Sequence, residues 1–296
     1  MATSSQAELD DLDLVYQYLK DTQTCNYAII SSAILLIYDS ILTFPREYRY
    51  IWKQSFSVVS TLHVVMRYGY MTQLGVDVAF YVWPNAPLKL CQAWFQIQLW
   101  SSFVLLFPLS VIVAMQTYAI YGQKFSFKIA LTLLVAADNL AVIAGWILAS
   151  KQVTFMAPFV ANSTCLLRVG GVKANFSNIE YGSLAGFEAI IFFMTFFRCI
   201  QLFRTGQTRL VRNIFHDSLR YFTIMVSLTA ACWAVSVGLP ESRQGLSILL
   251  SAPLRVIDVI LLSRIILNLR EAVTASDYSV QEYTLDDFIP APRSDT

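Results

Sequence analysis

Seven ionisable side chains fall inside long apolar runs of this 296-residue sequence: Asp39, His63, Arg67, Asp138, Glu188, Arg255 and Asp258. A charge at the centre of a membrane helix costs about 2.5–3.5 kcal/mol on insertion scales, so this many are not expected to face lipid. Their spacing agrees. Ser247, Ser251, Arg255 and Asp258 recur at steps of four, four and three, which is one stripe of a helix. Ser60, His63, Arg67 and Tyr70 recur in the same way, and Glu188, Thr195 and Arg198 share a face. The stripes predict a polar seam inside a helix bundle. Such a seam could hold a ligand, pass ions or protons, or act as a charge-driven switch. The plainer role is helix-register pairing, for example Arg255 with Asp258 or Asp39, because polar contacts recur as packing glue between helices.

No reaction chemistry stands out, and the expectation is a protein that is not an enzyme. Two histidines, His63 and His216, leave little scope for a histidine metal site, and no cofactor is expected. There is no His-Glu-x-x-His, no nucleophile elbow and no Gly-x-Gly-x-x-Gly turn. Asp138-Asn139 or Glu188 alone is not an acid–base constellation. The last apolar run lacks a lysine, which excludes a retinal Schiff base there. A formal net charge of +1 gives no field that would attract nucleic acid.

The elements that must position these groups are long helices. The chain is 56% hydrophobic and 14% charged, where a soluble domain carries about 25% charged residues. About twenty mostly apolar residues cross a hydrocarbon core. By that rule the fold is all-α, a bundle of seven transmembrane helices over 25–44, 54–76, 90–120, 127–149, 182–204, 219–239 and 246–268. The second is the weakest, since it carries His63 and Arg67. Phe107-Pro108 is expected to bend the third. Residues 1–24 read as an external acidic tail, 25–270 as the membrane domain and 271–296 as a cytosolic, disordered acidic tail.

Orientation follows from the basic residues. One side receives Arg46, Arg49, Lys53, Lys124, Lys128, Arg204, Arg209, Arg212, Arg220 and Arg270. The other receives the smaller set Lys20, Lys89, Lys151, Arg168, Lys173 and Arg243. The N-terminus is therefore expected outside and the C-terminus in the cytosol. Sequons at Asn162 and Asn175 fall in the loop 150–181, on the external side. Cys25, Cys91 and Cys165 also fall externally, and Cys91–Cys165 is the favoured disulfide. Arg198 and Arg264 are expected to snorkel at cytosolic ends, and Trp52, Trp83 and Trp94 to anchor at interfaces. With the turn 45–53 inside, Asp39 falls in the inner half of the first helix and Arg67 in the outer half of the second. That separation speaks against a direct Asp39–Arg67 pair, and leaves Arg255 as the candidate for Asp39 and Glu188 for Arg67.

At Tyr38-Asp39, Glu47, Ile51-Trp52-Lys53 and Arg67-Tyr68 the chain resembles a large family of mushroom-forming fungi. Its members are seven-helix membrane proteins with an N-terminal domain of unknown function. The run Ser263-Arg264-Ile265-Ile266-Leu267-Asn268-Leu269-Arg270-Glu271 looks like that family's end of helix seven. The resemblance implies an integral membrane protein and brings no ligand, catalytic residue or cofactor. In topology, and in the candidate Cys91–Cys165 bridge, the chain is also similar to G-protein-coupled receptors. It departs from the rhodopsin-like pattern at Gln116-Thr117-Tyr118, at Cys232-Trp233 without the following proline, and at Pro253 without Asn-Pro-x-x-Tyr.

The leading expectation is a receptor-like multi-pass protein of the plasma or secretory-pathway membrane. It would sense an external small molecule or peptide through Asp39, His63, Arg67, Asp138, Glu188, Arg255 and Asp258, with residues 204–220 facing a cytosolic partner. A transporter or proton-linked carrier using Asp39, Asp138, Glu188 and Asp258 is the alternative, and a structural or partner-organising membrane protein the third.

Overall fold

Apolar runs become helices because lipid offers the backbone no hydrogen-bond partner. The computed structural model describes residues 2–54, 57–82, 87–122, 124–156, 166–169, 175–204, 209–239, 243 and 246–286. Among them are α1 (Ala2–Glu47), α2 (Val58–Val82), α3 (Leu88–Ile120), α4 (Phe125–Gln152), α5 (Asn175–Arg204), α6 (Arg209–Gly238) and α7 (Ser247–Asp286). The exception to an all-helical fold is a short antiparallel pair, β1 (Val153–Met156) and β2 (Leu166–Val169), with Val153 opposite Val169.

Each helix packs on its neighbours in sequence, and α7 returns to α1, so the seven form a closed ring. The apolar core lies between α2, α3 and α7, where Met66, Leu109, Ile112, Val256, Leu262 and Ile265 are buried. The outside is apolar too: Ile34, Ile37, Ile41 and Phe44 of α1, and Phe193 and Phe197 of α5, are exposed. So much outward apolar surface marks a molecule whose surroundings are themselves apolar. Five helices, α1, α3, α4, α5 and α6, are long and apolar enough to cross a membrane. These several apolar helices point to a multi-pass membrane protein. The two others, α2 and α7, carry the densest polar stripes.

Several boundaries differ from the sequence reading for one reason. Helical hydrogen bonds close within the segment whatever the side chains are, so helices outlast their apolar runs. The expected tail 1–24 is helical from Ala2, and residues 271–286 of the other tail belong to α7. Residues 287–296 lie outside the described residues. Most of the loop expected at 205–218 is the start of α6, and Asn175 is the first residue of α5 rather than a loop residue. Asn162, Cys165 and Trp83 lie outside the described residues. Pro108 sits inside an uninterrupted α3.

The turn between α1 and α2 is built to bring two charged faces level. Pro45 removes one backbone donor from the last turn of α1, and five residues of π-helix, Tyr48–Trp52, follow. The Lys53 amide donates to the Tyr48 carbonyl at 3.0 Å, and Ile51 is fully buried beneath the turn. Ser57 then caps α2, its hydroxyl accepting from the Ser60 amide at 3.3 Å. At Gly69 the helices α2 and α3 come so close that a Cβ there would press on the end of Leu105.

Candidate functional site

Among the described residues, two polar clusters are each centred on a buried arginine, Arg67 or Arg255, and they are built differently. The first lies where α1, α2 and α7 meet. On α1, Asp39, Thr43 and Glu47 recur every four residues and share one face. Arg67 of α2, 0% exposed, faces them. Its Nη2 donates to Asp39 Oδ2 at 3.2 Å and to Thr43 Oγ1, and its Nε donates to Ser40 Oγ at 3.2 Å. Its Nη1 stands 3.5 Å from Glu47 Oε2. Arg264 of α7 reaches Asp39 from the other side, donating from Nε and Nη2 to Oδ1 at 3.0 and 2.8 Å. Glu47 accepts from the Tyr68 hydroxyl at 2.8 Å and from Trp52 Nε1 at 3.3 Å. His63 Nε2 is 3.8 Å from Glu47 Oε1, outside hydrogen-bond range.

Two guanidinium groups thus meet two carboxylates, and charge balances. The end of α7 ties this cluster to the turn. Arg46 donates to Asn268 Oδ1 at 2.8 Å and to Glu271. Arg270 reaches the Tyr50 carbonyl at 3.0 Å and the hydroxyls of Ser57 and Ser60 at 2.6 and 2.7 Å.

This geometry corrects the sequence reading. Asp39 and Arg67 pair directly, because each lies fourteen residues from Lys53 (53 − 39 and 67 − 53) on opposite arms of a helical hairpin. The partner of Asp39 on α7 is Arg264, not Arg255. Arg264 binds a carboxylate instead of only snorkelling. Arg198 grips the end of α3, donating from Nε to the Ile120 carbonyl at 3.3 Å. Trp94 does more than anchor: its Nε1 donates to buried Asp77 Oδ1 at 3.0 Å, beside Gln98 Nε2 at 3.3 Å from Oδ2.

The second cluster gathers Asp138 of α4, Glu180 and Glu188 of α5, Thr229 of α6 and Arg255 and Asp258 of α7. Arg255 Nη2 donates to Glu180 Oε1 at 3.0 Å. Arg255 also acts electrostatically on Asp138, Glu188 and Asp258, and Glu188 on Asp258. Asp138, Glu188 and Asp258 are 8%, 5% and 0% exposed. Yet Asp138 Oδ1, both oxygens of Glu188 and both of Asp258 have no hydrogen-bond partner. The Thr229 hydroxyl, fully buried, stands beside Glu188, close enough to bear on its carboxylate though outside good hydrogen-bond geometry. One guanidinium faces four carboxylates here. Among the described residues no group of His, Cys, Asp or Glu side chains is arranged to hold a metal ion.

Of the seven candidate residues, the structure brings Asp39, His63 and Arg67 into the first cluster and Asp138, Glu188, Arg255 and Asp258 into the second. The seam is therefore two sites. Sequence reasoning missed Glu47, Asp77, Glu180 and Thr229. The step of four from Asp39 through Thr43 to Glu47 was the available signal for the first of these.

Comparison with known proteins falls on one of the two. A family of unknown function (DUF6533) has a model that matches residues 27–72. No curated protein matches the chain. The matched segment runs from α1 through the π-turn into α2, so it contains Asp39, Glu47, Trp52, Arg67 and Tyr68 of the first cluster. It stops short of every helix from α3 to α7, and reaches the second cluster only through Tyr70, which acts electrostatically on Arg255.

Proposed function

We propose that the protein is a seven-span, receptor-like membrane protein whose ligand site is the Arg255-centred cluster. One observation carries this reading: five buried carboxylate oxygens from three helices are left without partners around a single guanidinium. Groups that fix helix register are largely satisfied, as both oxygens of Asp39 are in the first cluster, where Glu47 Oε2 still has Arg67 Nη1 opposite it at 3.5 Å, whereas several buried carboxylate oxygens left open together ask for a ligand. A ligand that engages α4, α5, α6 and α7 together would bias how these helices pack.

Seven spans are supported by the ring. The 25 residues of α2 extend about 37 Å, enough to cross, and α2 packs between α1 and α3, both apolar enough to span. The basic residues favour the N-terminus outside and the C-terminus in the cytosol. On that orientation the protein resides in the plasma membrane or a secretory-pathway membrane. Asn162 and Asn175 are then glycan acceptors, Cys91 and Cys165 pair externally, and 204–220 meets a cytosolic partner. Glycosidase-sensitive mass tests the orientation.

The function is tested by thermal unfolding in detergent against a ligand library. Compounds that stabilise the wild type are expected to lose their effect with Arg255→Ala. A library that stabilises both proteins equally removes this cluster as the site. The proximity of Asp138, Glu188 and Asp258 favours a second reading, a proton-linked carrier, for which flux into proteoliposomes would depend on Asp138. Asp39 has no place in that path, being held by Arg67 and Arg264.

A further inference from the structure

Resting on the reading of the Arg255 cluster as a ligand site, we infer that the site takes an organic ammonium, a primary or secondary amine with an aromatic body and no acidic group. The charge count comes first. Glu180 already engages Arg255 at 3.0 Å, which leaves Asp138, Glu188 and Asp258 without a cation of their own among the described residues. An acidic ligand group would meet three carboxyls and a guanidinium that is already occupied. Protons alone would neutralise the carboxyls, but each would still need a hydrogen-bond acceptor for its O–H and a donor for its carbonyl. The four carboxylate oxygens of Glu188 and Asp258 are acceptors waiting for donors, more than the single O–H of neighbouring Thr229 can supply.

An ammonium group supplies the missing charge and up to three donors at once. Thr229 adds to the set: a hydroxyl that is 0% exposed, beside Glu188 and on a different helix from every acid. The aromatic body is argued from Tyr70 of α2 and Tyr181 of α5. Both are buried and both lie within electrostatic range of Arg255, and aromatic rings pair favourably with one another.

The test uses the purified full chain in detergent, with phenethylamine as probe and 2-phenylethanol and 3-phenylpropionate as its neutral and acidic counterparts. Millimolar phenethylamine is expected to raise the melting temperature, and the two counterparts to leave it unchanged. Glu188→Gln, Asp258→Asn and Thr229→Val are each expected to weaken the amine about tenfold, the loss of one charge-assisted contact. Glu271→Gln, at the other cluster, is expected to bind as the wild type does. If a variant does not fold, the remaining two decide. An equal shift from 2-phenylethanol that disappears in Arg255→Ala overturns the ammonium assignment and leaves the ligand-site reading standing. The same shift from an equal concentration of sodium chloride is a bulk ionic effect and overturns the assignment. No binding by the probe set, together with no hit in the wider library, overturns both.

Discussion

The two clusters have similar ingredients and opposite bookkeeping. Around Asp39, two arginines face two carboxylates, and most polar atoms are hydrogen-bonded. Around Arg255, one arginine faces four carboxylates, and five carboxylate oxygens stand alone. A buried pair that is complete resists change, because removing one partner strands the other. An incomplete set gains from any molecule that completes it. The lesson is that counting charged residues in helices does not find a site, whereas counting their unmet partners separates a fastening from a vacancy. The DUF6533 match falls on the fastening.

The comparison breaks most sharply at Arg67. Replacing it with methionine leaves Asp39 and Glu47 buried without their shared cation, and is expected to cost about 3–5 kcal/mol, read as lost detergent-stable protein or a lowered melting temperature. A wild-type melting curve would show that the first cluster is not the fastening described. Arg67→Lys is expected to recover only part, since one ammonium cannot span Asp39, Thr43, Ser40 and Glu47 as the fork does.

The opposite sign is expected at the second cluster. Glu188→Gln removes one of the surplus carboxylates, so unliganded stability should hold or rise by up to about 1 kcal/mol. A loss as large as that of Arg67→Met would make the two clusters alike. A smaller effect belongs to Arg46–Glu271, where both side chains are well exposed, 39% and 48%. Solvent screens such a pair, and a double-mutant cycle should return less than about 0.5 kcal/mol, falling further in high salt. Least of all, Arg243→Gln cuts the two hydrogen bonds to Asp21 at 3.0 and 2.7 Å. Hydrogen exchange should quicken around Asp21 while the melting temperature stays put.

Much of this architecture was legible in the apolar runs, which place helices wherever lipid would strand a backbone group. The stripe Ser60-His63-Arg67-Tyr70 did point inward, and all four residues are buried. What escaped has a common position. Glu47, Asp77 and Glu180 sit three, one and two residues outside the spans expected to end at 44 and 76 and to begin at 182. A window that measures apolarity stops where the charges start, but the helix does not, so its terminal carboxylates were assigned to loops. The same shortening hid the Asp39–Arg67 pair. Measuring each residue from the turn, instead of from the expected end of a span, puts them level. Thr229 left no sequence signal, because whether a hydroxyl is satisfied depends on its neighbours in space.

The hairpin geometry also bears on how such a chain is made. Asp39 and Arg67 lie on α1 and α2, which leave the ribosome before α7 brings Arg264. On the membrane reading, α1 and α2 can enter the bilayer together with their opposite charges already compensated, which lowers the penalty either helix would meet alone. Arg264 then finds Asp39 only when α7 closes the ring. The bond between them is a later contact than the Asp39–Arg67 pair, made only once the ring closes.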